Sequence, residues 1–514
     1  MLAYPTGGAL VVALTYPVIY YFLDPKGLRK YPIPSVAAIT PLWQMYHNWY
    51  GEKYIAVDKA HKRVGKVVRL GPNHVSFSSP QAFKDIYGHG TTVRKDIFYD
   101  NQAAGNPNMA DATDKEVHRN KRRNLAHVFS PGKITEMEPR VMQVVRKLLR
   151  AVEMKSRGLR IADTDRFPVK DGVFDLRPWL NMFSYDAITN VFWSQTYGFL
   201  DRGDDDCPAE RSDGTITTVH AMHTFHTGAA HSVLVGHLSP FWYDLVRNKI
   251  LGWTDRTKCG NTFTDMARYL AHRRLESPPP EPDLFSNLPT SPTEKRETPM
   301  SDREIIAESS VMLNAGNDTT QTSLTNIMFY LAGHPAAQKK LRSILRESLD
   351  PEQIPVAPYE TLRHISYLRA VIDESFRMQA PLGTGLPRLT TKPIVIDGES
   401  IPAGVTVSAQ TWSLHRREDL FRHANEWIPE RWLPYWEEST ETERQNLKEY
   451  VLPFSLGPRA CIGRNLAYME ISICIAALVL AFEWELPEKG QVLRHHERFN
   501  CNPIELPIRA KYLL

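Results

Sequence analysis

One stretch, Phe454-Ser-Leu-Gly-Pro-Arg-Ala-Cys-Ile-Gly463, constrains the chain more than any other. It carries a single cysteine, Cys461, in a loop punctuated by Gly457 and Gly463. Glycine there lets the backbone take a positive φ or pass close to a flat ligand. Ile462 and the apolar run from Leu466 to Leu480 predict a long helix immediately downstream. A cysteine just before a helix N-terminus is favoured as thiolate, because the dipole and the free N–H groups stabilise charge on sulfur. Such a thiolate serves as a nucleophile or as a metal ligand. Arg459, in the same loop, is placed to hold an anionic cofactor group. The alternative is a buried structural cysteine at a helix start.

The second constraint is a helix. Ser301-Asp-Arg-Glu304 is a capping box, and a helical run extends from it to about Leu331, stopped by Gly333 and Pro335. Roughly thirty residues at 1.5 Å each span about 45 Å, enough to cross a globular body. Its middle, Asn314-Ala-Gly-Asn-Asp-Thr-Thr320, is polar between apolar flanks. A helix-interior glycine costs about 1 kcal/mol, and buried polar groups cost more unless paired. A polar notch at such a cost predicts function. A kink with threonine back-bonding is the alternative.

Lys115 to Phe129 reads as a basic helix on which His118 and Arg122 share a face. A solvated basic face or a docking patch for an acidic partner would look the same. Glu374 and Arg377 share a face of an otherwise apolar helix, and Pro429-Glu430-Arg431 follows downstream. His220, His223, His226 and His231 fall in one segment without an accompanying acid or cysteine, which predicts pocket lining or solvent exposure rather than a metal site. Val64 to Ser78 predicts a small sheet broken at Gly71-Pro72, Thr91 to Thr113 a long loop, and Ser277 to Met300 an exposed linker.

The chain has 514 residues and a formal net charge of +4, too small to argue for a nucleic-acid partner. Its five cysteines show no CxxC and no regular spacing, which fits a reducing compartment. The first 23 residues are uncharged, and Lys26, Arg29 and Lys30 follow. This predicts an N-terminal membrane anchor over 1–24 with the rest of the chain cytosolic. A cleaved signal peptide or a buried helix would be the alternatives. Pro32, Pro34 and Pro41 predict a stiff hinge over 25–45, and 46–514 a catalytic body.

The order Phe454-x-x-Gly457-x-Arg459-x-Cys461-x-Gly463 resembles the haem-binding loop of the cytochrome P-450 superfamily. Ala315-Gly316-x-Asp318-Thr319 is similar to its oxygen-activation motif, and Glu374-x-x-Arg377 with Pro429-Glu430-Arg431 to its structural triad. The resemblance implies a mainly α fold with a minor β lobe, preceded by one transmembrane helix. It implies haem b with Cys461 as axial thiolate ligand. It places Arg459, Arg122, His118, Arg388, Phe454 and Gly463 around that cofactor, and gives Asp318 and Thr319 proton delivery. It further implies an endoplasmic-reticulum membrane location and NADPH as indirect electron donor through a separate reductase. A basic face including Lys121 and Arg123 is the expected dock for that reductase. Val67-Val-Arg-Leu-Gly-Pro72 and Phe98-Tyr99 look like fungal benzoate para-hydroxylase-like and tailoring members. The expected substrate is a small organic molecule, foremost an aromatic polyketide or other secondary metabolite. Benzoate 4-hydroxylation, oxidative phenol coupling and terpenoid hydroxylation are the alternatives.

Overall fold

The computed structural model describes residues 15–103, 107–290, 299–436 and 438–514. The predicted capping box forms. The Ser301 side chain accepts from the Glu304 N–H, and the Glu304 carboxylate accepts from the Ser301 N–H at 2.9 Å. From this cap the central helix runs unbroken through 32 residues, Asp302–Gly333. It packs against helices Arg177–Trp193, Asp255–Glu276 and Arg464–Ala481. Every residue from Pro178 to Trp193 is buried, so that helix has no polar stripe and belongs wholly to the core.

Helix Arg464–Ala481 follows the cysteine loop, as its apolar run predicts. Among the described residues it alone is long and apolar enough to cross a membrane, yet it is mostly buried inside the protein and is a core helix. The predicted anchor lies largely outside the described residues. Its described end, Thr15 to Leu23, is helical and exposes Tyr16, Ile19, Phe22 and Leu23. Within the predicted hinge, Leu28 and Tyr31 are buried, and the Arg69 N–H donates to the Pro32 carbonyl at 2.9 Å. The chain there lies against the body.

Strands are few and short. The largest sheet has the order Val67–Gly71, His74–Phe77, Thr406–Ala409, Arg388–Leu389, Arg94–Lys95. The pairing of Thr406–Ala409 with His74–Phe77 is parallel and the other pairings are antiparallel. This sheet matters because it carries Arg388 and Lys95 on adjacent strands, in register with each other. A hairpin, His495–Arg498 with Asn500–Pro503, packs its second strand on the central helix.

Two sequence expectations are corrected. The segment from Thr91 to Thr113 is not one loop: it holds strand Arg94–Lys95 and helix Ile97–Ala103, with Phe98 and Tyr99 buried. The stretch after Ser277 is not simply exposed, because Asp283, Leu284 and Phe285 are buried. Asp283 forms an ion pair with Arg274 at 2.7 Å, and an ion pair of this kind does not register in Pro/Ser composition. Residues 291–298 of that stretch lie outside the described residues.

Candidate functional site

The cysteine loop is closed by its own backbone. The Cys461 N–H donates to the Phe454 carbonyl at 2.9 Å. Gly457 has φ +71°, and a Cβ there would strike the carbonyl oxygen of Tyr87, so only glycine fits. Gly463 differs. Its φ is −82° and it is the N-cap of helix Arg464–Ala481, with its backbone N–H directed at the Cys461 sulfur. Positive φ therefore explains Gly457 alone. Phe454 anchors the loop by ring contacts with Phe376 at 5.4 Å and Tyr468 at 5.1 Å.

Cys461 is exposed, yet protein surrounds it densely enough for burial to push its thiol pKa up. Solvent therefore reaches the sulfur through a cleft within the protein. The Gly463 N–H and the Arg122 guanidinium act in the opposite direction and favour the thiolate.

Beside this cysteine, positive charge converges. Lys95, His118, Arg122, Arg388 and Arg459 line a cavity of about 490 Å³, and no carboxylate lines it. Arg122 donates to the Ala460 carbonyl at 2.8 Å and Arg459 to the Ala112 carbonyl at 2.7 Å. Arg388 is buried and donates to the Pro387 carbonyl at 3.0 Å. Among the described residues none of these three arginines forms an ion pair. Burial, then the neighbouring Arg388, lowers Arg459 to about 10. Burial, then Arg459 and Arg122, lowers His118 to about 3, so it is neutral at physiological pH. Buried cations without counter-ions are costly. A thiolate-bound prosthetic group bearing carboxylates would supply the missing anions, and haem with its two propionates is such a group. The five residues fit it.

The central helix presents Asn314 and Ala315 to open space at its midpoint. Gly316 faces the other way, because a Cβ there would meet the Ile188 side chain at 2.5 Å. Its lack of a side chain serves close helix packing. The Thr319 hydroxyl donates to the Ala315 carbonyl at 2.8 Å, the back-bonding alternative noted from sequence, while the helix stays unbroken.

Asp318 is buried and fully engaged. It accepts from Asn500 at 2.6 Å, Asn502 at 2.7 Å and Gln321 at 3.2 Å, with His226 Nε2 at 3.5 Å. Burial alone would raise its pKa; His226, Asn502 and Asn500 outweigh burial and hold it down to about 2. Asn500 and Asn502 alternate along one strand, so their side chains share a face. That spacing was visible in the sequence. The partner across 182 residues was not.

The predicted triad assembles in the core. Glu374 accepts from Arg377 at 2.8 and 2.9 Å, Arg431 at 2.9 Å and Trp432 at 3.0 Å. Two further expectations change. Lys121 is not a free docking cation: it is 15% exposed and pairs at 2.8 Å with Glu308, which is 1% exposed. Arg123 does stay on the surface side, donating to Asn120 at 3.3 Å. The four histidines are not without partners, for His220 meets Asp206, His223 meets Asp255, His226 meets Asp318, and His231 meets Thr257.

The family model described as Cytochrome P450 matches residues 36–508. A benzoate 4-monooxygenase of Aspergillus niger is 29% identical, over 99% of this chain and 98% of the relative. The cytochrome P450 monooxygenase poxC of Penicillium oxalicum is 31% identical, over 90% of this chain and 85% of the relative. The monooxygenase AMT3 of Alternaria alternata is 29% identical, over 89% of this chain and 88% of the relative.

Proposed function

This chain belongs to the cytochrome P450 family, and from that premise we propose that it inserts one oxygen atom from O₂ into an aromatic secondary metabolite. Electrons would come from NADPH through a separate reductase at the endoplasmic-reticulum membrane. The observation that carries the reading is the pairing of Cys461 with an anion-free cluster of Arg122, Arg388 and Arg459.

Haem held there would supply dioxygen activation, and the Cys461 thiolate is the residue that would bind its iron. The residues of this chain do the rest. Arg122, Arg388 and Arg459 hold carboxylates by charge-assisted hydrogen bonds. Neutral His118 donates or accepts without adding charge. Phe454 and the Gly463 N–H keep the sulfur in place and limit its basicity. Thr319 carries the exchangeable hydroxyl proton nearest the helix midpoint, held on the Ala315 carbonyl. Asp318 keeps its negative charge and, through His226 and two asparagines, fixes the turn that bears Thr319. Phe98, Tyr99 and Phe499 form an apolar aromatic cluster suited to a planar substrate.

Benzoate 4-hydroxylation is the second reading. Two observations favour it: the name of the Aspergillus niger relative, and Arg498. The Arg498 guanidinium makes no hydrogen bond or ion pair among the described residues and lies near Asp318. A carboxylate substrate requires such a cation. Turnover with reductase, NADPH and a panel of phenolic, benzoate and terpenoid substrates, read by mass shift, decides between the two. Single-oxygen products from aromatic polyketides support the first reading. Benzoate turnover lost in Arg498→Leu supports the second.

A further inference from the structure

The four histidines of the segment 220–231 each met a different partner, and one of the four meetings has the chemistry of a metal site. We propose that His223, Asp255 and Cys259 bind a thiophilic divalent cation, Zn²⁺ by ligand type, which staples two crossing helices. His223 lies in the first turn of helix Ala221–Val235. Asp255 and Cys259 are four residues apart on helix Asp255–Glu276 and therefore share a face. His223 Nε2 lies 3.2 Å from Asp255 Oδ2, and the three ligating atoms all lie within 4.8 Å of one another. Tetrahedral zinc with bonds of about 2.0–2.3 Å needs ligand atoms about 3.5 Å apart. Small side-chain rotations close the difference.

The ligand set chooses the ion. Imidazole nitrogen, carboxylate oxygen and thiolate sulfur suit zinc, whereas magnesium and calcium take oxygen alone. Cys259 is buried while His223 and Asp255 are exposed, so the site opens to solvent on one side and leaves room for water as a fourth ligand.

Packing sets the register before any ion arrives. A Cβ on Gly228 would lie 2.9 Å from the Gly260 Cα, so the two backbones touch where they cross. The Phe225 and Phe263 rings lie 5.0 Å apart, and His231 Nε2 lies 3.2 Å from Thr257 Oγ1. The second cluster of similar composition, Asp205, Asp206 and His220, is different. There the Arg166 guanidinium already lies 2.6 Å from Asp206 and 3.7 Å from Asp205, so a cation is in place. Among the described residues no lysine or arginine pairs with Asp255. On binding an ion the Cys259 S–H proton leaves to solvent and the sulfur ligates as thiolate. His226, three residues beyond His223, faces Asp318, so the staple would also steady the helix that holds the Asp318 network.

The test uses the untagged, haem-loaded full chain, stripped with chelator and titrated with ZnCl₂ by calorimetry. Zinc X-ray absorption on the same samples reads the ligands. One ion per chain, with one sulfur in its coordination shell, is expected. His223→Ala and Cys259→Ser should each weaken binding by at least about tenfold. Asp206→Asn should leave it unchanged. The haem absorption spectrum of each variant reports folding, and His223, being exposed, provides the variant least able to disturb it. A zinc shell without sulfur, absence of binding, or weak binding equal in all variants overturns the proposal.

Discussion

Two groups of buried charge lie in this molecule, and they are built on opposite plans. Around Glu374 every charge is answered. The carboxylate meets two guanidiniums, the Ile428 N–H and the Trp432 indole. Arg377 also spends its remaining donors on the carbonyls of His415, Ala424 and Glu426. Around Cys461 they are largely unanswered: Arg122, Arg388 and Arg459 form no ion pair among the described residues and no carboxylate lines their cavity, although Lys95 beside them feels the charge of Asp111. A closed network has nothing left to bind with, so its role is architectural. An open network of one sign is a site that expects its opposite. Under the proposed function, the contrast separates residues that hold the fold from residues that would hold a ligand, although both groups are arginine-rich.

The largest expected effect tests the open side. Cys461→Ser should abolish the thiolate-type Soret band of the reduced carbon-monoxide complex. Retention of that band would remove the cysteine from the site. Next, the closed side: Glu374→Ala leaves two buried guanidiniums unpaired and should cost about 3–5 kcal/mol, read as loss of soluble folded protein. A variant that folds normally would erase the contrast. Smaller is Arg459→Leu, or Arg388→Leu, which should leave the apoprotein as stable as the parent or more so. Each should weaken haem retention by about 10–100-fold, the loss of one charge-assisted hydrogen bond of about 1.5–3 kcal/mol. Competition of bound haem for apomyoglobin measures it.

The last expected effect, confined to a pH slope, concerns another buried carboxyl, Glu470, which belongs to neither plan. It receives one long hydrogen bond, from Thr320 at 3.4 Å, and its other oxygen has no partner. Burial raises it to about 8. Its folded pKa lies above the unfolded value of about 4.5, so the folded state holds the extra proton between them. Stability from this group therefore falls as pH rises from about 4.5 through about 8. Glu470→Gln should remove that slope, and denaturant titrations at about pH 5 and pH 8 should show the variant gaining on the parent at the higher pH. A parallel pH profile would mean that Glu470 is ionised and paired.

Much of the open site was legible in sequence because it is local. Gly457, Arg459 and Cys461 lie within one loop, and the helix after them follows from its apolar run. The Glu374–Arg377 pair was legible by helical spacing, and Arg431 by its motif. Lys121 misled because its neighbours on the helix are exposed cations, while its partner, Glu308, sits 187 residues away. The acidic partners of the histidine segment were hidden for the same reason. Asp255 and Cys259 stand more than thirty residues from His223 in sequence, and only the helix crossing brings them near. Gly316 was singled out with its motif, yet the structural cause of its small size is Ile188 on another helix.

By itself the order of residues determined the cap and length of the central helix, the loop that presents the thiol, and the helix that follows it. These depend on hydrogen bonds and spacings within a few turns of chain. Tertiary structure alone decided which charges are left unmatched. It placed Asp318 against Asn500 and Asn502, withdrew Lys121 from the surface, and left Arg122, Arg388 and Arg459 facing one cavity. The physical reason is that local sequence sets where a charge sits on its own helix or strand. Whether that charge is neutralised depends on which distant element packs across from it.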